Sequence, residues 1–437
     1  WGAISALLLW HWAARTWNIE VGRKTILLLV SIPSLPLLAS WAYADMALCF
    51  YAAASLFTLT QFKTSPADSW LRIMGVLCGF AMGVKYTSFV VPLACGLLLL
   101  SHRPLKQGLR NAAHFSLIAL LTALPWYLRN AFLMGNPFYP FVFGGRYWDT
   151  FLAQWYSGSG TGIGWDIFQL ILLPFNAVLG YRDANFFDGR MGPLFLILFP
   201  ITLWILIKRP FQNPAQNWPL ISITLFSALS FLAWTVGVIN SSALWQTRLL
   251  FPALLPFAIP TALGWDALTK LDSPKLRVSF LVNALIAVVI ALAIFDVGLF
   301  VFRRNPLAVV FGAQSREEYI HRVNPSYAEL MQLMEKLPAT ALVYSLYEPR
   351  SYNLPRLTQP DAIVSNFAHD LFLYQTTDEV VQAWKAQGYT HILIYERGAD
   401  LTLADDPSRL AELNYTRDSL ILLSRTPDGV YSIYLIP

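Results

Sequence analysis

The stretch "SWAYADMALCFYAAASLFTLTQF", residues 40–62, decides the fold class of this chain, because it sets one carboxylate, Asp45, at the start of a long apolar run. A carboxylate in the middle of a membrane-spanning helix costs roughly 2.5–3.5 kcal/mol on insertion scales, and far less at the water-facing end. A helix N-terminus also stabilises a negative charge, by about 0.3–1 kcal/mol. The stretch therefore predicts a membrane helix over residues 43–62 whose polar end is marked by Asp45.

The composition extends this interpretation to most of the chain. Of 437 residues, 56% are hydrophobic and 13% are charged, and the mean hydropathy is +0.48. These values are too apolar for an ordinary soluble protein. Crossing about 30 Å of hydrocarbon takes on the order of 20 apolar residues. About ten such spans are predicted, the first of them truncated, near residues 1–14, 25–40, 43–62, 70–84, 86–101, 111–128, 191–207, 218–238, 249–265 and 278–302.

The charge distribution divides the chain into two predicted domains. Residues 1–304 hold 21 Lys and Arg against 10 Asp and Glu, a net charge of +11, whereas residues 305–437 hold 10 against 16, a net charge of −6. Basic loops beside a membrane account for the high pI, so no nucleic-acid partner is expected. We predict a transmembrane helical module over 1–304 and a soluble domain over 305–437.

The C-terminal domain alternates between strand and helix patterns. The helices are predicted in "SYAELMQLMEKL" and "TTDEVVQAWKAQG", with a short third one in "PSRLAEL". Strands are predicted in "ATALVYSLYE" and "THILIYE", and a terminal hairpin in "SLILLSR" and "VYSIYLI". This alternation predicts a small α/β domain. It shows no catalytic signature, and its loop "YEPRSY", residues 347–352, is interpreted as an ordinary surface loop, with a contact loop as the alternative.

The orientation follows from the basic residues of the short loops, which favour the cytoplasmic side. This rule places Asp45, Lys85, the long loop 129–190 and the domain 305–437 outside the cytoplasm. Within the long loop, residues 165–181 predict a re-entrant or interfacial helix. The glycine-rich segment 158–164, "GSGTGIG", predicts a mobile flap over a site or a flexible connector.

Four charged residues gather at the predicted outer ends of the spans, among Trp and Tyr residues: Asp45, Lys85, Arg129 and Arg248. Cations can hold a phosphate and offset charge on a leaving group, and a carboxylate can take a proton from an attacking hydroxyl. Each cation alone is also a typical interface anchor. The hypothesis of a site therefore rests on the four residues together.

Four blocks in this order, "SWAYADMAL", "GFAMGVKYTSFVVP", "PWYLRNAFLMGNPFYPF" and "TRLLFPALLPFAI", followed by an α/β tail, resemble bacterial members of the C-type glycosyltransferase superfamily. The resemblance covers residues 1–304. More narrowly, the chain resembles the group that includes protein O-mannosyltransferases and the aminoarabinose transferase of lipid A. It implies a multispan protein of the bacterial cytoplasmic membrane. Such an enzyme moves a sugar from a polyprenyl-phosphate donor to a lipid, glycan or protein acceptor at the outer face, with inversion of the anomeric centre.

The resemblance also implies roles for individual residues. Asp45 would be a supporting acid, and Lys85 and Arg248 would lie near the donor phosphate. The neighbouring cavity would be lined by Tyr86, Arg129, Asn136 and Tyr139. The family carries its principal catalytic carboxylate in an earlier outer loop, so the resemblance implies that this segment precedes Trp1 and that the chain is N-terminally truncated.

Two alternatives stay open. Some relatives use a divalent cation, but the spacing of the four loop aspartates fits no compact metal motif, so solvated acids are the preferred interpretation and no metal site or other cofactor is predicted; these residues are Asp149, Asp166, Asp183 and Asp188. The second alternative is a non-catalytic membrane protein, either a partner in lipid-sugar translocation or an anchor that displays a binding domain.

Overall fold

The computed structural model describes residues 1–41, 43–101, 104–179, 191–208 and 214–437. These residues form two units, which we call the helical unit, Trp1–Tyr147 with Ser157–Phe300, and the sheet unit, Trp148–Tyr156 with Val301–Pro437. The predicted fold class, mainly helical with a C-terminal α/β domain, is confirmed. The predicted domain boundary at residue 304 lies close to Phe300, where the helical unit ends. The units differ from the predicted domains in segment 148–156, which belongs to the sheet unit.

Thirteen helices run from the N-terminus to the end of the helical unit in the described part of the chain, and α8 contains most of segment 148–156. They are α1 Gly2–Thr16, α2 Ile19–Val30, α3 Ser34–Ser40, α4 Asp45–Thr64, α5 Asp68–Val84, α6 Val90–Leu100, α7 Leu105–Met134, α8 Thr150–Ser157, α9 Ile167–Leu179, α10 Leu194–Lys208, α11 Pro214–Asn240, α12 Phe251–Leu268 and α13 Val278–Arg304. Short 3-10 turns at Tyr86–Phe89 and Thr247–Leu250 precede α6 and α12.

Four helices in the described residues are long and apolar enough to cross a membrane: Leu105–Met134, Ala215–Asn240, Thr247–Leu268 and Val278–Arg304. A fifth candidate is the pair α2 and α3, which is bent by 79°. The bend falls at "SIPS", where Pro33 is the N-cap of α3 and cannot continue α2. The other predicted spans coincide with shorter or less apolar helices, so the total of about ten spans stays a prediction.

Helices α4 and α12 lie in the interior of the helical unit, and both are buried along most of their length. Helices α5 and α7 approach each other closely at Gly79, where an added Cβ would lie 2.5 Å from the Thr122 Cβ and 2.6 Å from the Ala119 carbonyl oxygen. Small residues permit such backbone contact between membrane helices. The interior helices position two predicted site residues, because α4 begins at Asp45 and Arg248 lies in the turn that leads into α12.

The sheet unit contains five strands: β1 Leu342–Leu346, β2 Leu357–Gln359, β3 His391–Tyr395, β4 Ile421–Arg425 and β5 Tyr431–Leu435. Their order is β2-β1-β3-β5-β4, with β1 parallel to β2 and β3, and β5 antiparallel to β3 and β4. Its remaining helices are α14 Pro306–Val310, α15 Arg316–Val323, α16 Pro325–Glu335, α17 Asn366–Tyr374, α18 Thr377–Ala386, α19 Glu396–Thr402 and α20 Pro407–Asp418.

Hydrophobic clusters lie on both faces of this sheet. On one face α16 packs Leu330 and Met334 against Val343 and Ile433. On the other face lies Trp384 of α18. The Trp384 indole donates a 2.8 Å hydrogen bond to Asp370, and burial raises the pKa of that carboxyl to about 6. The predicted strands and helices are present, whereas α14, α15, α17, α19 and the three-residue β2 were not predicted.

The segment 148–156, predicted as part of the transmembrane module, belongs to the sheet unit. The ring of Phe151 stacks on Phe372 at 5.1 Å between centroids, and the Trp155 indole donates a 3.1 Å hydrogen bond to the Ile363 carbonyl. Asp149 Oδ2 lies 2.7 Å from His369 Nε2. Phe151 and Trp155 are four residues apart and share one helix face, so the packing of this face explains the assignment.

Candidate functional site

Asp45 and Lys85 form an ion pair at one end of the helical unit. Asp45 is the first residue of α4, and Lys85 directly follows α5. The Lys85 Nζ lies 2.9 Å from Asp45 Oδ1, and the two side chains are 31% and 6% exposed respectively. Removing one member of a desolvated pair would leave the other charge without compensation. The structure therefore joins the predicted supporting acid to the first predicted phosphate ligand.

Arg248 lies at the same end of α4. Its Cζ is 4.6 Å from the ring centroid of Tyr43, which precedes Asp45 by two residues. One guanidinium nitrogen, Nη2, also donates a 2.6 Å hydrogen bond to Gln246. A cation over an aromatic face is attracted by the ring quadrupole. This contact positions the second predicted phosphate ligand beside the start of α4.

Tyr86 and Tyr139, which were predicted to line the cavity, are joined by a hydrogen bond. The Tyr86 hydroxyl donates a 2.8 Å hydrogen bond to the Tyr139 carbonyl oxygen and accepts a 3.3 Å bond from Asn130 Nδ2. Sequence reasoning missed Asn130, which is buried on α7 three residues after buried Tyr127. That spacing puts both residues on one helix face, and it is the signal that identifies Asn130.

Asn136 and Arg129 have other contacts. Asn136 is fully buried, and its amide donates to the carbonyl oxygens of Phe141 at 2.8 Å and Gly144 at 2.6 Å, so its described contacts hold its own loop. Arg129 is exposed, with its Cζ 5.4 Å from the Trp126 ring on the same helix, as in an interface anchor. In the described residues neither side chain hydrogen-bonds to Asp45 or Lys85.

A cavity of about 200 Å³ lies beside the ion pair. One of its lining residues, Tyr86, is a predicted site residue. Two others lie close to predicted site residues in the chain, Leu48 to Asp45 and Leu249 to Arg248. Ser88 also lines it, and the buried Ser88 hydroxyl has no hydrogen-bond partner in the part of the chain that the structure describes. An unsatisfied buried hydroxyl costs about 1–3 kcal/mol, which a polar ligand would recover. Ser88 was not predicted, although Tyr86, Thr87 and Ser88 give three consecutive hydroxyl groups directly after Lys85.

A larger apolar groove of about 360 Å³ runs between α9, α10, α11 and α12. Its lining includes Leu250, which lies two residues after Arg248, as well as Ala253 and Leu254. Nearly all of its lining side chains are apolar, including Phe195, Phe199, Phe231 and Phe257. Such a groove suits a hydrocarbon chain, since burial of apolar surface is its main source of affinity.

The glycine-rich segment is bound to the end of α11. The backbone N–H groups of Gly160, Ile163 and Gly164 donate to carbonyl oxygens of residues 238–240 at 2.9–3.1 Å. A Cβ added at Gly162 would lie 2.2 Å from the Ile239 carbonyl oxygen, so only glycine permits this approach. These bonds do not fit the predicted mobile flap or flexible connector.

The loop aspartates have ordinary structural partners where the structure describes them. Asp149 accepts from the Leu152 N–H and pairs with His369, while Asp166 accepts from the Phe168 N–H. Asp183 and Asp188 lie outside the described residues. Among the described residues no group of three or more His, Cys, Asp or Glu side chains is arranged to hold a metal ion.

Solved structures share this arrangement of helices and sheet. The chain matches the crystal structure of ArnT from Cupriavidus metallidurans bound to undecaprenyl phosphate with a TM-score of 0.57 and 14% identity, over 100% of this chain and 82% of that one. The apo state of the same ArnT matches with a TM-score of 0.55, at the same identity and coverage. The chain has the fold of ArnT.

Sequence comparisons are less informative. A family model described as a domain of unknown function, DUF8201, matches residues 5–159, a range that contains Asp45 and Lys85 but not Arg248. No curated protein matches the chain. At 14% identity the likeness to ArnT establishes the fold, and the chemistry has to be argued from the residues of this chain.

Proposed function

We propose that this chain is a membrane glycosyltransferase that moves a sugar from a polyprenyl-phosphate-linked donor to an envelope acceptor at the outer face of the bacterial cytoplasmic membrane. One observation carries the proposal: the Asp45–Lys85 pair and Arg248 lie at the same end of α4, near an apolar groove and a cavity whose largely apolar wall includes the Ser88 hydroxyl. A lipid-linked sugar phosphate needs these parts, namely cations, a sugar pocket and a lipid groove.

The charges suit the reaction. As an acceptor hydroxyl attacks the anomeric carbon, the bond from that carbon to the phosphate oxygen breaks and its electron pair stays on the phosphate. The phosphate therefore gains negative charge in the transition state, and preorganised cations stabilise it. Lys85 is partly exposed and can contact the phosphate while Asp45 positions its ammonium group. The proton of the acceptor hydroxyl passes to a general base. In this proposal Asp45 is a supporting acid and not that base.

The apolar groove supports a lipid carrier on the donor. One of its lining residues, Leu250, lies two residues beyond Arg248, so a phosphate at the guanidinium would bring an attached hydrocarbon chain close to the groove. The fold likeness to an ArnT structure that holds undecaprenyl phosphate supports the same class of carrier here.

A binding experiment tests the carrier and the cations together. The full chain in lipid nanodiscs is titrated with undecaprenyl phosphate and the complex is quantified by native mass spectrometry. We expect Lys85→Ala and Arg248→Gln to weaken binding at least tenfold, about 1.4 kcal/mol each. Lys270→Ala, which removes an exposed lysine at Asp266, is the matched control and leaves the affinity unchanged.

A transfer experiment separates the enzyme from the non-catalytic alternative. Membranes with the full chain receive polyprenyl-phosphate-linked sugars and envelope lipid, glycan or protein acceptors, and the released polyprenyl phosphate is measured. Release that depends on Lys85 supports the glycosyltransferase. Binding without release, for every donor and acceptor tried, supports a lipid-sugar translocation partner instead, and equal carrier binding by all variants contradicts the assigned site.

A further inference from the structure

A pocket in the sheet unit lies between the loop that follows the carboxyl end of β1 and the helices α15 and α16. The chain leaves β1 toward β2 on one side and leaves β3 toward β4 on the other. Adjacent parallel strands whose connections diverge leave a crevice at their carboxyl ends, which is where α/β sheets bind ligands. The loop after β1 begins at Tyr347, whose φ of 65° is unusual for a bulky residue. The local geometry therefore favours a ligand site at this edge.

The loop is held rigidly by one buried carboxylate. Glu348 accepts hydrogen bonds from Arg350 Nε at 2.6 Å, from Arg350 Nη2 at 2.7 Å and from the Tyr431 hydroxyl at 2.7 Å. The Arg350 backbone N–H adds a fourth bond at 2.8 Å. The Glu348 side chain is fully buried, so these bonds offset the cost of its burial. The loop is thereby fixed before any ligand arrives.

The pocket itself has a volume of about 400 Å³, within the range typical of small-molecule sites. Three tyrosines line it, of which Tyr327 is buried, Tyr319 half-buried and Tyr352 86% exposed. Arg316 fixes the rim, with its Cζ 5.2 Å from the Tyr352 ring and its Nη2 2.6 Å from Asn353 Oδ1. The accessible aromatic rings of the wall are therefore those of Tyr319 and Tyr352, whereas the Tyr327 ring lies against the Arg350 guanidinium.

Polar groups of the wall retain hydrogen-bonding capacity. Arg350 Nη1, the Asn324 carboxamide and the Ser351 hydroxyl make no hydrogen bond to any residue that the structure describes, and all three residues line the pocket. Asn324 is the N-cap of α16, yet its side chain does not cap the helix. These groups supply donors and an acceptor for ligand hydroxyls.

We propose that this pocket binds a neutral saccharide. A sugar ring has apolar C–H faces that pack on tyrosine rings and hydroxyl edges that pair with amide, hydroxyl and guanidinium groups. An anionic ligand is disfavoured, because Glu348 already occupies the planar edge of Arg350 that would bind a carboxylate or phosphate, and it neutralises the charge. The proposal rests on the sheet unit alone and is independent of the proposed transfer reaction.

Saturation-transfer-difference NMR on the full chain in nanodiscs tests the proposal. The probes are the neutral trisaccharides mannotriose, cellotriose and chitotriose, with trigalacturonate as the acidic counterpart. We expect saturation of the ring C–H protons of at least one neutral probe. Tyr352→Ala should reduce that signal at least fivefold, and Asn324→Ala should weaken the affinity about threefold. Tyr415→Ala, which removes a 54% exposed tyrosine of α20, should change neither.

The exposure of Tyr352 and the absence of a capping bond from Asn324 make both substitutions compatible with folding, which the circular dichroism spectrum and the melting temperature check. No saturation from any neutral probe at millimolar concentration overturns the proposal. A signal from trigalacturonate alone overturns the neutral class, and an equal loss in Tyr352→Ala and Tyr415→Ala overturns the location. Because undecaprenyl phosphate binding is measured separately, failure here leaves the proposed transfer intact.

Discussion

Among the described residues of the helical unit, a carboxylate pairs with lysine in two places, and the surroundings of the two pairs differ. Asp266, near the end of α12, lies 2.7 Å from Lys24 of α2 and 2.6 Å from Lys270. The Lys24 ammonium also lies 5.6 Å from the Trp265 ring centroid and 3.4 Å from the Thr269 hydroxyl. The bonds of Lys24 to Asp266 and Thr269 fasten α2 to the end of α12.

The Asp45–Lys85 pair has a different environment. Its carboxylate pairs with a single lysine among the described residues, and Arg248 lies beside it on the ring of Tyr43. The wall of the neighbouring cavity contains the Ser88 hydroxyl, which has no hydrogen-bond partner in the described part of the chain. A buried ion pair by itself is weak evidence of function, because similar pairs also connect helices. The comparison shows that the neighbouring cation and cavity distinguish a candidate functional site from a structural ion pair between helices.

The largest expected effect separates the two lysines. Lys85→Ala should lower the transfer rate at least 100-fold, about 2.7 kcal/mol, because a cation that stabilises the developing phosphate charge is lost. Lys24→Ala should leave the rate per folded molecule unchanged. Release of polyprenyl phosphate is measured for both variants after the folded fraction is determined by size-exclusion chromatography. Equal rates in the two variants would remove the distinction between the pairs.

Substitution of Asp266 should affect mainly stability, whereas substitution of Asp45 should affect mainly activity. Asp266→Asn leaves two lysines without their counter-charge, and we expect it to lower the free energy of unfolding by about 1–3 kcal/mol with transfer unchanged. Asp45→Asn should lower the transfer rate about tenfold, because Lys85 loses the group that positions it. Thermal unfolding in nanodiscs and transfer rates are measured on the same preparations. A rate loss in Asp266→Asn exceeding that in Asp45→Asn would reverse the assignment.

A conservative change at Arg248 sharpens the role of its planar group. Arg248→Lys keeps the charge but loses the flat guanidinium that packs on Tyr43, so the KM for the donor should rise about three- to tenfold with little change in kcat. Lys270→Arg is the matched exchange at the Asp266 cluster and should be neutral. A fall in kcat at unchanged KM would indicate that Arg248 acts in the transition state alone.

The smallest effect is expected at a single hydroxyl. Tyr86→Phe removes the 2.8 Å bond to the Tyr139 carbonyl and should cost about 1 kcal/mol of stability, with a two- to fivefold loss of transfer. Thr269→Val removes a 2.8 Å bond from its hydroxyl to the Asp266 carbonyl oxygen together with the 3.4 Å contact to Lys24, and it should leave the transfer rate unchanged. Thermal unfolding and initial rates check both variants, and a larger effect at Thr269 would argue against the difference between the clusters.

The sequence predicted where most of the helices lie and placed Asp45 and Lys85 at the same end of the spans, for a physical reason. Apolar length determines where helices lie, and a lysine between two apolar runs needs a partner, which the carboxylate at the start of α4 supplies. The sheet unit followed from strand and helix alternation in the same way. The predicted fold class is therefore confirmed, whereas the number of spans, the membrane orientation and the roles of the site residues stay predictions.

Other features could not be predicted because they depend on backbone geometry or on contacts between distant residues. The amide of Asn136 binds carbonyl oxygens of its own loop, and glycine-rich segment 158–164 pairs with the end of α11 through main-chain groups. Neither arrangement leaves a trace in side-chain pattern. The packing of Phe151 on Phe372 joins residues more than 200 positions apart. The exposed position of Arg129, by contrast, matches the anchor alternative.

The membership of segment 148–156 in the sheet unit has a consequence for the evolution of the chain. This unit is discontinuous, because a piece encoded between α7 and α9 completes the surface around His369 and Phe372. A gene exchange that swapped only residues 301–437 would leave Phe372 without its stacking partner and His369 without Asp149. The two parts of the unit must therefore be inherited together, and substitutions on α8 and α17 should compensate for each other among descendants of this gene.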